Sequence, residues 1–208
     1  LALCAAVLRD AGWQVTACDA VAMGLDQAAL AAELAAQQPE IVGLLASALT
    51  LDGDLATLRA LHRAWPRARY LLLGPALRLV AGSLPADLPA VALIGEPEGL
   101  IVAACDRLHA GAQSCGAQWT AADLGLAALT PDGLVADPDG LPFPAWDLLG
   151  PARYPFLTVL ASRGCDDTCR YCPYVVAQGR PWRGRDPARV LAELRWLRRE
   201  FRPQRIVF

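Results

Sequence analysis

Lysine is absent from this 208-residue chain, so arginine carries all 19 positive charges against 21 acidic residues, and the formal net charge is −2. Without a basic excess the chain lacks the electrostatic footprint of a nucleic-acid binder, and no nucleic-acid partner is expected. Histidine is almost missing too: His62 and His109 stand alone, both in helical patterns, and no Ser-His-Asp arrangement can be built from them. Phosphate-binding P-loop and dinucleotide fingerprints are lacking. No apolar run reaches the roughly 18 residues needed to span a bilayer. The opening Leu1–Leu8 run has neither a charged leader nor a cleavage site, so no secretion signal is expected. Seven cysteines are too few and too uneven for a disulfide framework in a chain of this size, which points to a soluble protein of the reducing cytoplasm.

What is present is apolar. Hydrophobic residues make up 55% of the chain and the mean hydropathy is +0.31, enough to bury a substantial core. From Leu1 to His109, short apolar runs alternate with helical patterns, the mark of repeated strand and helix units in a parallel sheet. Four strands are expected, at Gln14–Ala17, Ile41–Ala46, Tyr70–Leu73 and Val91–Ile94. Leu30 and Leu34 share one helix face that Pro39 ends. Leu55, Leu58, Leu61 and Trp65 step along the next helix, which Pro66 stops, and Glu98–His109 forms the last. The expected fold is therefore α/β, a flavodoxin- or Rossmann-like parallel sheet with flanking helices, whose ligand site lies at the carboxyl ends of the strands.

Between Ala110 and Pro155 the composition shifts to the turn sequences Pro131-Asp132-Gly133 and Asp137-Pro138-Asp139-Gly140, read as a linker. Leu157–Ala161 then reads as a buried strand, followed by a cysteine-bearing loop. A helix opened by Asp186-Pro187 follows, with Val190, Leu194, Leu197 and Phe201 as its core face. The expected organisation is a domain over 1–111, a linker over 112–155, and the first β/α units of a partial TIM-type barrel over 156–208. Leu1, Ala5 and Leu8 make a helix face with no capping residue before them, and Arg205-Ile206-Val207-Phe208 makes a strand with nothing after it. Both ends are expected to be cut, with a first strand lying before Leu1.

Cys165, Cys169 and Cys172 follow the pattern C-x3-C-x2-C directly after a strand, so one loop can bring three thiols to one point. Three is the informative number: a closed structural zinc site takes four protein ligands, whereas an iron–sulfur cube held by three leaves one iron open. Arg163, Gly164 and Arg170 flank the loop, and the two arginines place positive charge beside anionic ligands. The competing readings are a zinc knuckle that recruits Cys115 or His109, or cysteines with no ligand at all. Cys4, Cys18 and Cys105 read as buried small apolar residues and Cys115 as a bystander in the linker. The basic stretch Arg180, Arg183 and Arg185 reads as a solvated loop feeding a helix, with Trp182 packed inward.

The cysteine spacing, with the aromatic Tyr171 before the third cysteine and the flanks Ser162-Arg163-Gly164-Cys165 and Cys172-Pro173, resembles the radical S-adenosylmethionine superfamily. Asp166 departs from it, standing where proline is common. The resemblance implies a [4Fe–4S] cluster on Cys165, Cys169 and Cys172, with S-adenosylmethionine bound at the open iron beside Tyr171. It further implies a one-electron reductant and a 5′-deoxyadenosyl radical that abstracts hydrogen from a small-molecule substrate.

An α/β domain ahead of such a loop is similar to the cobalamin-binding domain of one branch of that superfamily. Gly43-Leu44-Leu45-Ala46-Ser47-Ala48-Leu49-Thr50 resembles the stretch that lines the cobalamin's lower-ligand pocket, which points to Ser47 and Leu49. Gly74 matches the first of a glycine pair, with Pro75 replacing the second, and Gly95-Glu96-Pro97-Glu98 resembles a Gly-Glu-Gly-Glu turn. Pro142 to Leu149 resembles the segment that precedes the catalytic domain in that branch. No Asp-x-His-x-x-Gly element is present. The resemblance implies methyl transfer, ring formation or another carbon-centred rearrangement. The alternative from another class is a cobalamin-sensing or receiver-like binding module with a zinc-bound tail.

Overall fold

The structure is a computed structural model that describes residues 1–112, 115–127, 129–130 and 132–208, apart from the side chains of Pro173 and Val176. In chain order, helices α1 (Ala2–Asp10), α2 (Ala20–Met23) and α3 (Gln27–Gln37) lead to β1 (Ile41–Leu45), α4 (Leu51–Ala64), β2 (Arg69–Leu73) and α5 (Leu77–Val80). There follow β3 (Val91–Leu93), α6 (Pro97–His109) and β4 (Gln118–Trp119). Last come β5 (Leu157–Thr158), β6 (Ser162–Arg163), α7 (Pro173–Gln178), β7 (Arg183–Gly184), α8 (Pro187–Glu200) and β8 (Ile206–Val207). Two compact units emerge, one of Leu25–Val135 and one that joins Leu1–Gly24 to Ala136–Phe208.

The Leu25–Val135 unit is an α/β sheet of four parallel strands in the order β1-β2-β3-β4, flanked by helices, as the alternating apolar runs imply. Parallel strands need long crossovers, and α4 supplies one between β1 and β2. Leu71, Leu72 and Leu73 of β2 and all three residues of β3 are buried, the continuous apolar pattern of a sheet covered on both faces. One face packs Leu55, Leu58 and Leu61 of α4 with Tyr70, Leu72 and Leu77, and Leu30 and Leu34 of α3 lie against that cluster. The Tyr70 hydroxyl lies 2.9 Å from both the Leu61 and Trp65 carbonyls and shares its one proton between them at the end of α4, where helical donors run out for Trp65. Leu100, Ile101, Ala104, Cys105 and Leu108 form the buried stripe of α6.

Three expected strands and the helices end within a residue or so of their sequence-derived limits. Gln14–Ala17 is a correction: it forms no strand. A strand exists through a ladder, and among the described residues this segment has no partner strand to supply one.

The segment read as a linker is also different in fact. Residues 115–135 complete the four-stranded unit: β4 pairs with β3, and Leu134 and Val135 are buried. Asp132 and Gly133 make the expected turn, closed by the Gly133 N–H on the Thr130 carbonyl at 2.8 Å; Pro131 of that turn lies outside the described residues. Residues 136–155 belong to the other unit, where Trp146 and Leu149 are buried with Ala2, Leu157, Val190 and Leu197. Turn-rich composition reports backbone bends and says nothing of the apolar side chains between them.

In the second unit β5 and β8 pair in parallel, with α8 between them in the chain, which is one β/α step. Val190 and Leu197 of α8 are buried as its spacing predicts, with Leu194 and Phe201 partly buried beside them. No closed barrel forms among the described residues.

Candidate metal centre on the cysteine loop

β6 and β7 run antiparallel, with Ser162 opposite Gly184 and Arg163 opposite Arg183, and everything between them, Gly164–Trp182, is one excursion that carries the three cysteines. Its root is clipped repeatedly. The Cys165 N–H donates to the Gly179 carbonyl at 3.3 Å, the Trp182 N–H to the Asp166 carboxylate at 3.0 Å, and Arg180 to the Asp167 carbonyl at 2.7 Å. Arg183 donates to the Gln178 carbonyl at 2.9 Å, at the carboxyl end of α7. A compact loop whose ends meet is a common carrier of function on a rigid scaffold. Gly164, at φ +74°, makes the closure possible: a Cβ there would collide with the Pro181 carbonyl oxygen and lie 2.9 Å from that of Gly179.

Cys169 and Cys172 sit on a turn of their own, closed by the Cys172 N–H on the Cys169 carbonyl at 3.2 Å. Cys172 is also the residue that precedes α7. All three thiols are free; Cys169 is exposed and Cys165 and Cys172 are half-buried. They share the loop but do not form a ready-made site, because among the described residues no group of three or more His, Cys, Asp or Glu side chains is disposed to hold a metal. That finding bears alike on a cluster held by the three cysteines and on a zinc knuckle that adds Cys115 or His109; His109 lies 2.9 Å from a Glu40 carboxylate oxygen. Tyr171, between the second and third cysteines, is 89% exposed.

Asp166, the departure from the common proline, has a visible role, since its carboxylate takes the Trp182 N–H. The basic stretch beyond the loop corrects the sequence reading. Arg183 is buried and the Arg185 side chain nearly so, whereas Trp182, expected to pack inward, is 56% exposed with its ring over Gly184. A buried guanidinium needs acceptors, and here the Gln178 carbonyl serves Arg183 while the Leu160 carbonyl and the Asp139 and Glu193 carboxylates serve Arg185.

At the carboxyl edge of the four-stranded sheet, Ser47 and Leu49 follow β1 and Gly74 follows β2, so strand adjacency brings their loops side by side. Asp54 of α4 organises the first loop, accepting from the Ser47 N–H at 3.0 Å and the Thr50 hydroxyl at 2.8 Å. The Ser47 hydroxyl accepts the Leu49 N–H at 3.3 Å, and the Leu49 side chain is 96% exposed. Gly74, at φ +141°, passes so close to the Ala46 carbonyl that a Cβ would collide with it, so packing alone accounts for this glycine. Glu96, from the Gly-Glu-Pro-Glu turn, is buried, and its carboxylate accepts the Val135 N–H at 2.8 Å.

Sequence reasoning placed Glu96 in a turn without its burial and passed over a second buried carboxylate, Glu193. For Glu193 a signal existed, because it stands beside Leu194 in the apolar stripe of α8, where a charge requires a partner.

No family model matches the chain, and no solved structure matches it. Among curated proteins, 83 residues (38% of this chain) are 36% identical to an uncharacterized methyltransferase of Pyrococcus horikoshii, covering 18% of that protein. A stretch of 56 residues, 27% of the chain, is 41% identical to an uncharacterized methyltransferase of Synechocystis sp., covering 10% of it. The chain thus spans less than a fifth of the length of the curated relatives it matches.

Proposed function

We propose that the chain is part of a radical S-adenosylmethionine enzyme that transfers a methyl group to a small-molecule substrate, with Cys165, Cys169 and Cys172 as ligands of a [4Fe–4S] cluster. The observation that carries this reading is the cysteine loop: three free thiols, none buried, on one excursion whose root is clipped from both sides. The donor set fits the group, since soft thiolates select iron–sulfur clusters or zinc, and three of them suit a cube with one open iron. Two relatives named as methyltransferases agree with methyl transfer.

When bound, the cluster would supply an iron with an open coordination position and a single electron from an external reductant. The chain's own part is placement. The β6–β7 ladder and the Cys165–Gly179 hydrogen bond hold the first ligand at the loop root, while the Cys169–Cys172 turn holds the other two as a pair. Bringing the pair to the first thiol is the ordering step that ligand binding would drive. Tyr171 offers an exposed ring beside the ligands, suited to S-adenosylmethionine. For the four-stranded unit we propose cobalamin at the carboxyl edge of the sheet, with the Ser47 hydroxyl, the Leu49 side chain and the Gly74 backbone as contacts.

Anaerobic reconstitution of the full chain with iron and sulfide, followed by electron paramagnetic resonance after reduction, tests the reading. The expected result is a reduced [4Fe–4S] signal that shifts on adding S-adenosylmethionine and is lost when the three cysteines are changed to alanine. Stoichiometric zinc with no such signal would sink the proposal. For cobalamin, the bound cofactor's visible spectrum should be retained on gel filtration by the native chain and lost in Leu49→Ala.

A further inference from the structure

Arg185 leaves β7 and turns into the second unit, where its side chain is only 10% exposed and its contacts reach three separate segments. Its N–H donates to the Ala161 carbonyl at 2.9 Å. Its Nη1 donates to the Leu160 carbonyl at 3.0 Å and to the Glu193 carboxylate of α8 at 2.6 Å. Its Nε reaches the Asp139 carboxylate at 3.3 Å, and the other Asp139 oxygen takes the Asp186 N–H at 2.6 Å, just ahead of α8. The Glu193 side chain is 3% exposed. Through its backbone N–H and its guanidinium together, Arg185 therefore joins the two residues that lead into β6, the exit of β7, the buried side of α8 and the turn at Asp139.

We infer that Arg185, held by Glu193 and Asp139, is the positioning residue of the cysteine loop; what that loop carries rests on the reading proposed above. A buried ion pair is a poor device for stability, because apolar residues of similar volume usually serve as well or better. What the pair provides instead is direction. The planar guanidinium fixes the Leu160 carbonyl against a helix and a turn, while the backbone N–H of the same residue holds the next carbonyl, Ala161, and these two residues lead directly into Ser162, Arg163 and Cys165. A site held from a fixed root tolerates an open tip, and the thiols of Cys169 and Cys172 sit on such a tip. Loss of the root displaces all three ligands together, which the repeated clips within the loop cannot correct.

Removing Arg185 alone would strand Glu193 as a buried charge and threaten folding, so the discriminating variant is Arg185→Met with Glu193→Leu, which keeps the volume and removes both charges. Glu193→Gln, which keeps an acceptor for Nη1, serves as the conservative control. Two measurements are made on the full chain: backbone amide exchange of the iron-free protein, and iron content with the reduced spectrum after reconstitution. The double variant is expected to melt within a few degrees of native and to leave exchange in β1–β4 unchanged. Exchange across 160–172 should be about tenfold faster, and iron content should drop to about a third of native or less with a broadened spectrum. Glu193→Gln should match the native chain in both. Native exchange across 160–172 in the double variant would overturn the proposal, as would native iron content with an unchanged spectrum. If the exchange difference appears while the native chain takes up no iron, the positioning role stands and the cluster reading falls.

Discussion

The thiols divide by environment. Burial pushes the Cys105 thiol up to about 12, with Asp106 and Glu40 adding to the effect, so at neutral pH it carries no nucleophilic thiolate. Alkylation of the native chain followed by mass mapping should therefore modify exposed Cys115 and Cys169 well before Cys105, and rapid labelling of Cys105 would contradict its place in the stripe of α6. Tyr70 offers a second test at the same scale. Its hydroxyl shares one proton between two carbonyls at the end of α4, so Tyr70→Phe should cost about 1 kcal/mol in urea unfolding. Burial raises its phenol to about 12 from the ordinary 10, which means the folded state favours the protonated form. That contribution is complete below pH 10 and is lost as pH rises toward 12, and Tyr70→Phe should remove this part of the alkaline decline. The role of Gly74 was half legible: glycine at a turn was clear from the chain, but only the Ala46 carbonyl beside it shows that packing requires it.

At the scale of elements, what could be read was whatever carries its own period. α4 and α8 announce themselves through apolar steps of three and four, and β2 and β3 through short continuous apolar runs. The two-residue strands β4, β6 and β7 carry no period at all, so the ladder that frames the cysteine loop was invisible in sequence. Gln14–Ala17 shows the converse, a strand-like run that lacks a neighbour. Caps are local and testable. Asp186 accepts the Ala188 N–H at 2.7 Å at the start of α8, and Asp186→Ala should lower stability by about 1 kcal/mol, read from the denaturation midpoint. Asp54 has a longer reach, since its carboxylate gathers the Ser47 N–H and the Thr50 hydroxyl. Asp54→Ala should speed amide exchange in the loop after β1 while leaving β2 and β3 protected.

For the whole molecule, charge and division into units matter most. With a calculated isoelectric point of 5.7 and no lysine, solubility should pass through a minimum near pH 5.7 and recover on either side, as a precipitation series would show. No helix among the described residues is long and apolar enough to cross a membrane, in keeping with the absence of long apolar runs. The division is where sequence and structure part. Composition places a boundary where turn residues cluster, near 112–155, whereas the units meet the chain at Gly24–Leu25 and Val135–Ala136. The reason is that α1 returns to the later part of the chain: Ala2 is buried with Trp146 and Leu157, the Ala145 N–H donates to the Ala2 carbonyl at 2.9 Å, and Arg9 pairs with Asp147 at 2.6 Å.

By itself the sequence determined the α/β class, the core stripes of α4 and α8, the extent of α6 and the three-cysteine loop, because periodicity and motif spacing act over a few residues. Only the tertiary structure decided which segments share a unit, that Arg185 and Glu193 meet at the root of the loop, and that the three thiols share a loop without converging. Those depend on contacts between residues far apart in the chain, whose partners no local pattern encodes.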